Sequence, residues 1–225
     1  MSIDILADKH DVDAMLHRTS SSSEQPTVLT DIYKEDINLA IWEMNLAEDV
    51  KRSAVELLSQ KPAFKSVLSV TPDDVYEQVL ESTEAADSSH ALGQHVTTLV
   101  DMFCTLFDLK RAGLRFIALD KPMCPKFHVD NVPCRLVSTL HGPSTEWLQH
   151  NSVVRTKLGA GSKGLSDDHS GIMLPGSIVQ QLNTGDVALL KGEGWYKNER
   201  AGLVHRSPTL LAGEQRLLIT LDFIN

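Results

Sequence analysis

At 225 residues, 42% hydrophobic and 23% charged, the chain has the length and balance of one large globular domain or of a core with an extension. A net charge of −9 excludes a dedicated nucleic-acid binder, and no stretch approaches the ~18 consecutive apolar residues of a membrane span. Three cysteines form no disulfide framework and residues 1–10 lack a basic-then-apolar signal order, so a reduced, cytoplasmic protein with neither nucleic-acid nor membrane partners is expected.

Residues 1–30 are polar and carry Ser20-Ser21-Ser22-Ser23 followed by Glu24-Gln25-Pro26, which reads as a flexible N-terminal arm. Residues 31–225 read as a single domain whose first part, 31–112, is mainly helical. A short apolar stretch within 36–42 suits a strand. Asn45 then caps a helix over 46–58, where Val50, Ala54, Leu57 and Leu58 recur at helical spacing. The sequence Thr71-Pro72-Asp73-Asp74 combines a cap, a proline at the first helical position and acids at the positive dipole end, so it starts a second helix. A third helix over 91–110 presents Leu92, Val96, Leu99, Val100, Phe103, Leu106 and Phe107 on one broad apolar face, with Cys104 in the core and Gly113 closing it.

From residue 113 the period changes to that of strands. Segments 114–119, 135–140, 177–182, 186–190, 203–206 and 216–223 read as strands; Gly-rich turns and two long loops, 142–176 and 191–201, separate them. Short strands with Gly-rich turns imply a sandwich or barrel. The predicted fold class is α+β, a helical N-terminal half packed on a C-terminal barrel. The cluster Asp167-Asp168-His169 lies in Gly/Ser-rich surroundings and reads as a solvated loop.

The chemistry concentrates in Cys124-Pro-Lys-Phe-His128-Val-Asp130-Asn-Val-Pro-Cys134. In an extended strand, side chains two apart share a face with Cα atoms about 6.6 Å apart, which suits an imidazole and a carboxylate closing on one metal ion. His205, in Gly202-Leu-Val-His205-Arg-Ser-Pro, supplies the second imidazole, and two histidines with one carboxylate make the facial set of a non-haem Fe(II) site. The plain alternative is that both histidines are ordinary hydrogen-bonded residues and Asp130 caps a turn.

The order His-x-Asp, then Gly185-Asp-Val-Ala-Leu-Leu-Lys-Gly, then His-Arg-Ser-Pro, then Gly213-x-x-Arg216, resembles the double-stranded β-helix (a jelly-roll, cupin-like barrel) of Fe(II)/2-oxoglutarate-dependent oxygenases. That resemblance implies His128, Asp130 and His205 as iron ligands and Arg216 as the residue pairing with the far carboxylate of 2-oxoglutarate, a role that a planar guanidinium fork suits. At closer range the Cys124–Cys134 string, with Gly142-Pro-x-Thr-Glu-Trp-Leu and Asn198-Glu-x-x-Gly-Leu-Val-His-Arg-Ser-Pro, is similar to the family known as domain of unknown function 1826 over most of 30–225. That family hands over no reaction, but implies a link to zinc homeostasis.

Zinc is the alternative cofactor. Cys124 and Cys134 stand four residues outside the His-x-Asp pair, about 13 Å away if the strand is extended, unless Pro125 or Pro133 turns a thiolate inward. A Cys/His/Asp set would favour zinc and a protein without redox chemistry. Arg135 and Arg206 flank the proposed ligands as anion-binding candidates, and Trp147 and Trp195, with Tyr196, are candidates for the mouth of a pocket holding a small-molecule or protein substrate.

Overall fold

The computed structural model describes residues 17–84 and 89–224. Their strands are β1 (Thr19–Ser23), β2 (Ile37–Trp42), β3 (Lys65–Val70), β4 (Ala112–Leu119), β5 (Cys134–His141), β6 (Glu146–Leu148), β7 (Gln180–Gln181), β8 (Val187–Lys191), β9 (Val204–Arg206) and β10 (Arg216–Asp222). Seven form a large sheet in the order β1-β2-β8-β5-β10-β4-β3, and three form a small one, β7-β6-β9. Among the described residues only the β1–β2 pairing is parallel. The helices are α1 (Glu48–Gln60), α2 (Val75–Thr83), α3 (Ser89–Phe107) and the single turn α4 (Asp167–Ser170).

The layers follow from alternation. On β10, Leu217, Ile219 and Leu221 turn to one face and join Leu114 and Phe116 of β4, Leu136 of β5 and Leu189 of β8 in the main core. Against them pack Val50, Ala54 and Leu57 of α1, Val79 of α2, and Leu92, Val96, Leu99 and Phe103 of α3, the apolar faces read from helical spacing. The other face of the sheet, through Leu39, Ile41, Val137, Ala188 and Leu190, closes on Trp147, Leu182 and Leu203 from the region of the small sheet. The architecture is α+β with a large, mostly antiparallel sheet. No helix among the described residues is long and apolar enough to cross a membrane.

Three expectations are corrected. The chain does not divide into a helical half and a β half: β2 pairs with β8 and β3 with β4, so N-terminal strands extend both sides of the sheet. And the serine run, assigned to a loose arm, is the edge strand β1, whose backbone pairs with β2 while Ser21 Oγ donates to Asp31 Oδ2 at 2.6 Å; residues 1–16 of that arm lie outside the described residues. Gly113 does not end α3. Asp108 does so, in the left-handed region at φ 52°, with Leu109 N–H donating to Cys104 O at 2.9 Å, and Gly113 belongs to β4.

Within α3, His95 is buried and its Nε2 has no partner. Burial pushes its pKa from 6.5 down to about 4, so it folds neutral. An unfolded chain binds that proton more readily, so His95 contributes stability that is fully present above pH 6.5 and is lost as pH falls towards about 4, by about 3 kcal/mol in all. His95→Met should flatten this part of the urea-midpoint profile; identical acid slopes for the two proteins would show that another group is responsible.

Candidate metal centre

The segment between β4 and β5 carries His128 and Asp130 but is not a regular strand. What orients it is a single antiparallel bridge to β9. His128 N–H donates to His205 O and His205 N–H to His128 O, both at 3.0 Å, so the two imidazoles leave the backbone on one side with ring centroids 4.5 Å apart. Asp130 comes round to the same place. Its Oδ1 lies 3.9 Å from His128 Nε2 and its Oδ2 3.6 Å from His205 Nε2; one ligand atom from each residue can be chosen with all three within 4.8 Å of one another.

The tautomers are set from outside. His128 Nδ1 faces Lys126 O at 2.9 Å and His205 Nδ1 faces Leu203 O at 3.2 Å; a carbonyl only accepts, so each Nδ1 carries a proton and each Nε2 is the nitrogen left to face Asp130. Burial lowers the His205 pKa to about 4 despite the nearby Asp130 carboxylate, and His128 pushes it down further, so His205 is neutral at pH 7. The two Nε2 atoms and the Asp130 carboxylate thus converge on one point. A cation resolves that arrangement, and the donor set of two nitrogens and one oxygen fits Fe(II).

Arg135, a flanking residue in the sequence, is the brace of Asp130. Nη1 donates to Asp130 Oδ2 at 2.8 Å, while Nε and Nη2 hold Asp222 of β10 at 2.7 and 3.1 Å. The 191–195 loop presses on the same segment from behind. Glu193 N–H donates to Asp130 O at 2.8 Å, and a Cβ on Gly192 would stand 2.1 Å from Val132 O, so only glycine fits there.

Arg216 is the deepest cation of the site, 2% exposed. It donates to Thr139 Oγ1 from Nε (3.1 Å) and Nη2 (2.8 Å) and to Thr145 Oγ1 at 2.8 Å, and no carboxylate of the described residues pairs with it. Burial lowers its pKa to about 10, leaving it charged. Thr139 faces Leu218 across the β5–β10 ladder, which puts its hydroxyl diagonally beside Arg216 on the inner face. Arg216, Thr145, His128, His205 and Arg206 line one narrow cavity of about 40 Å³.

The remaining candidates separate. Cys124 lines that cavity and is exposed, but neither cysteine joins the three-residue cluster. Cys134 points to the helix-side core, where burial drives its thiol pKa far up and keeps it protonated. Arg206 is spent within the protein: it bonds Glu146 at 2.6 Å and Asp167 at 2.8 Å and lies 4.2 Å from the Phe127 ring centroid. Trp147 is buried opposite His205 in the small sheet, and Trp195 packs on Tyr33 and Phe107, lining a different cleft from the cavity of the histidines. Asp167 is no solvated loop residue; it is buried and also accepts from Phe127 N–H at 3.0 Å. Thr139, Thr145 and Asp222 were missed, although hydroxyls and a carboxylate among apolar strand residues, in step with Arg135 and Arg216, were the available signal.

Structures similar in fold include the rice dioxygenase for auxin oxidation (TM-score 0.40, 11% identity, covering 80% of this chain and 64% of that one). Others are a Pseudomonas putida prolyl-4-hydroxylase (TM-score 0.43, 12% identity, 88% and 96% covered) and HygX from Streptomyces hygroscopicus with iron bound (TM-score 0.43, 13% identity, 82% and 80% covered). The chain thus spans 64% of the length of the rice enzyme, and identities this low carry no residue role across. No curated protein matches by sequence. The family described as Protein of unknown function (DUF1826) matches over residues 23–222, and the chain belongs to it.

Proposed function

We propose that this chain is an Fe(II)- and 2-oxoglutarate-dependent oxygenase whose two sheets form a double-stranded β-helix. The observation that carries the reading is the convergence of His128, Asp130 and His205, with a buried arginine that has only hydroxyl partners lining the same cavity as both histidines. His128, Asp130 and His205 hold the metal; Arg216, with Thr139 and Thr145 fixing its fork, receives the far carboxylate of the cosubstrate. Fe(II) with bound 2-oxoglutarate would supply oxidation of a substrate C–H bond by O₂, coupled to decarboxylation of the cosubstrate. Arg135 keeps the Asp130 carboxylate turned to the metal and prevents it from rotating away. Met123, 41% exposed, is among the residues lining this cavity of about 40 Å³.

The substrate approaches over the uncovered half of the large sheet. Register puts Arg115 opposite Thr220 and Ile117 opposite Leu218, and then Val67 opposite Arg115 and Lys65 opposite Ile117. The floor of the cavity therefore continues into a groove of about 510 Å³ on β4 and β3, with Met123 lining both.

Anaerobic titration with Fe(II) and then 2-oxoglutarate tests the assignment. His128→Ala and His205→Ala should each weaken Fe(II) binding by about 100-fold or more, since second-shell losses alone reach 10–100-fold. Arg216→Met should leave Fe(II) affinity unchanged and weaken 2-oxoglutarate by about 10–100-fold, the loss of charge-assisted hydrogen bonds. Tightly held zinc with no cosubstrate binding in the unaltered protein would make zinc the occupant instead. Gly192→Ala removes no ligand, yet its Cβ collides with Val132 O and Asp130 O; it should weaken Fe(II) by about tenfold while His95→Met does not.

A further inference from the structure

A second cleft lies on the opposite, helix-side face of the large sheet, where Trp195 and Tyr196 stand. Lys191, the last residue of β8, faces Cys134 in the ladder to β5 and follows Val187 and Leu189 on the core side. It is 2% exposed, yet it is a lysine. Its Nζ donates to Lys34 O at 2.8 Å and lies 5.1 Å from the centroid of the Trp195 ring. Beside it Arg18 is also buried, donating to Asn198 Oδ1 and His17 O at 3.0 Å and to Lys197 O at 3.5 Å. Every one of these acceptors is neutral. Among the described residues no carboxylate makes an ion pair with either cation; Glu35, exposed at the rim of the cleft, is the acid lining it.

Two buried like charges that feel each other are costly. Burial and then the neighbouring Arg18 lower the Lys191 pKa to about 8, against a raising influence of Cys134, Asp36 and Glu35. Buried charges in proteins are ordinarily paired, and a carbonyl or a ring face does not replace a counter-ion. The cleft these cations share holds about 200 Å³, below the roughly 300–1,000 Å³ of pockets that enclose a drug-sized ligand. It has room for a charged group and a few heavy atoms, with Lys197 contributing a third cation to its lining.

We propose that this cleft binds a small oxyanion, a phosphate or carboxylate group, clamped between Arg18 and Lys191 with Lys197 at the rim. The shared chemistry is two or three oxygens with negative charge, met by a guanidinium fork on one side and an ammonium point charge on the other. Asn198, 1% exposed, holds the arrangement: it accepts from Arg18 Nε and donates to Gly192 O at 2.9 Å, so the guanidinium is oriented before any ligand arrives.

The test uses the full chain freed of metal by chelation, which separates this site from the metal reading. Calorimetric titration with inorganic phosphate, and separately with succinate, is run at ionic strength fixed with chloride. At least one anion should bind saturably, and the tighter of the two identifies phosphate or carboxylate as the ligand group. Arg18→Gln and Lys191→Met should each weaken it by about tenfold or more, one charge-assisted hydrogen bond, while Lys191→Arg retains it. If Lys191→Met does not fold, Arg18→Gln decides the matter alone. Absence of saturable binding of both anions, or affinity unchanged in Arg18→Gln, overturns the proposal.

Discussion

Two backbone hydrogen bonds between His128 and His205 hold the candidate centre together, because each histidine comes from a different part of the fold. His205 is on β9 of the small sheet, and His128 lies in the irregular connection between two strands of the large one. Neither segment has a long ladder to position it. A small separate core does that work: Phe127, Leu148, Ile172 and Val204 bury one another immediately beside the two ligands. Phe127 is further held by its own N–H to Asp167, and Arg206 closes over its ring. The residues next to the ligands are therefore anchored by packing, which leaves the ligands themselves free to face the cavity.

The arginines show how the fold distinguishes structural charge from charge held in reserve. Arg135 lies between Asp130 and Asp222, and Arg206 between Glu146 and Asp167. In both, burial opposes the charge and two carboxylates more than offset it, so the pKa stays above the ordinary value. Arg216 and Arg18 are buried with neutral partners only. An uncompensated cation in a low-dielectric setting destabilises the free protein and strengthens attraction for an incoming anion. That asymmetry, rather than the number of basic residues, is what the two proposed anion sites rest on in a chain of net charge −9.

What was legible in the sequence was local period. The apolar face of α3, the strands around Val187 and Leu217, and the polar exceptions His128, Asp130, His205 and Arg216 all stood out from their neighbours. What was not legible was pairing. β3 reads Lys-Ser-Val-Leu-Ser-Val, too mixed to stand out, because as the last strand of the sheet it exposes Val67 and has a partner on one side only. The serine run became a strand because β2 offered its backbone a partner, a non-local condition that composition does not record. Alternation did contain the answer for Cys134: one residue before the inward-facing Arg135, it had to face the helices, and weighing it as a metal ligand discounted that parity.

Trp195 is a candidate for the mouth of the pocket by sequence, yet its loop touches the segment of Asp130 by backbone alone. Gly192 and Glu193 hydrogen-bond to Pro133 O and Asp130 O, at 2.9 and 2.8 Å. Three residues on, the same chain turns its side chains to the other face of the sheet and walls the cleft of Lys191 and Arg18. Asn198 ties the two ends, bonding Gly192 O from one amide atom and Arg18 from the other. A ligand that fixed Arg18 would also fix Asn198, and through Gly192 would narrow the positions open to the backbone that carries Asp130. The two sites lie on opposite faces of one sheet, and the loop that joins them carries a position at which glycine is the residue that fits.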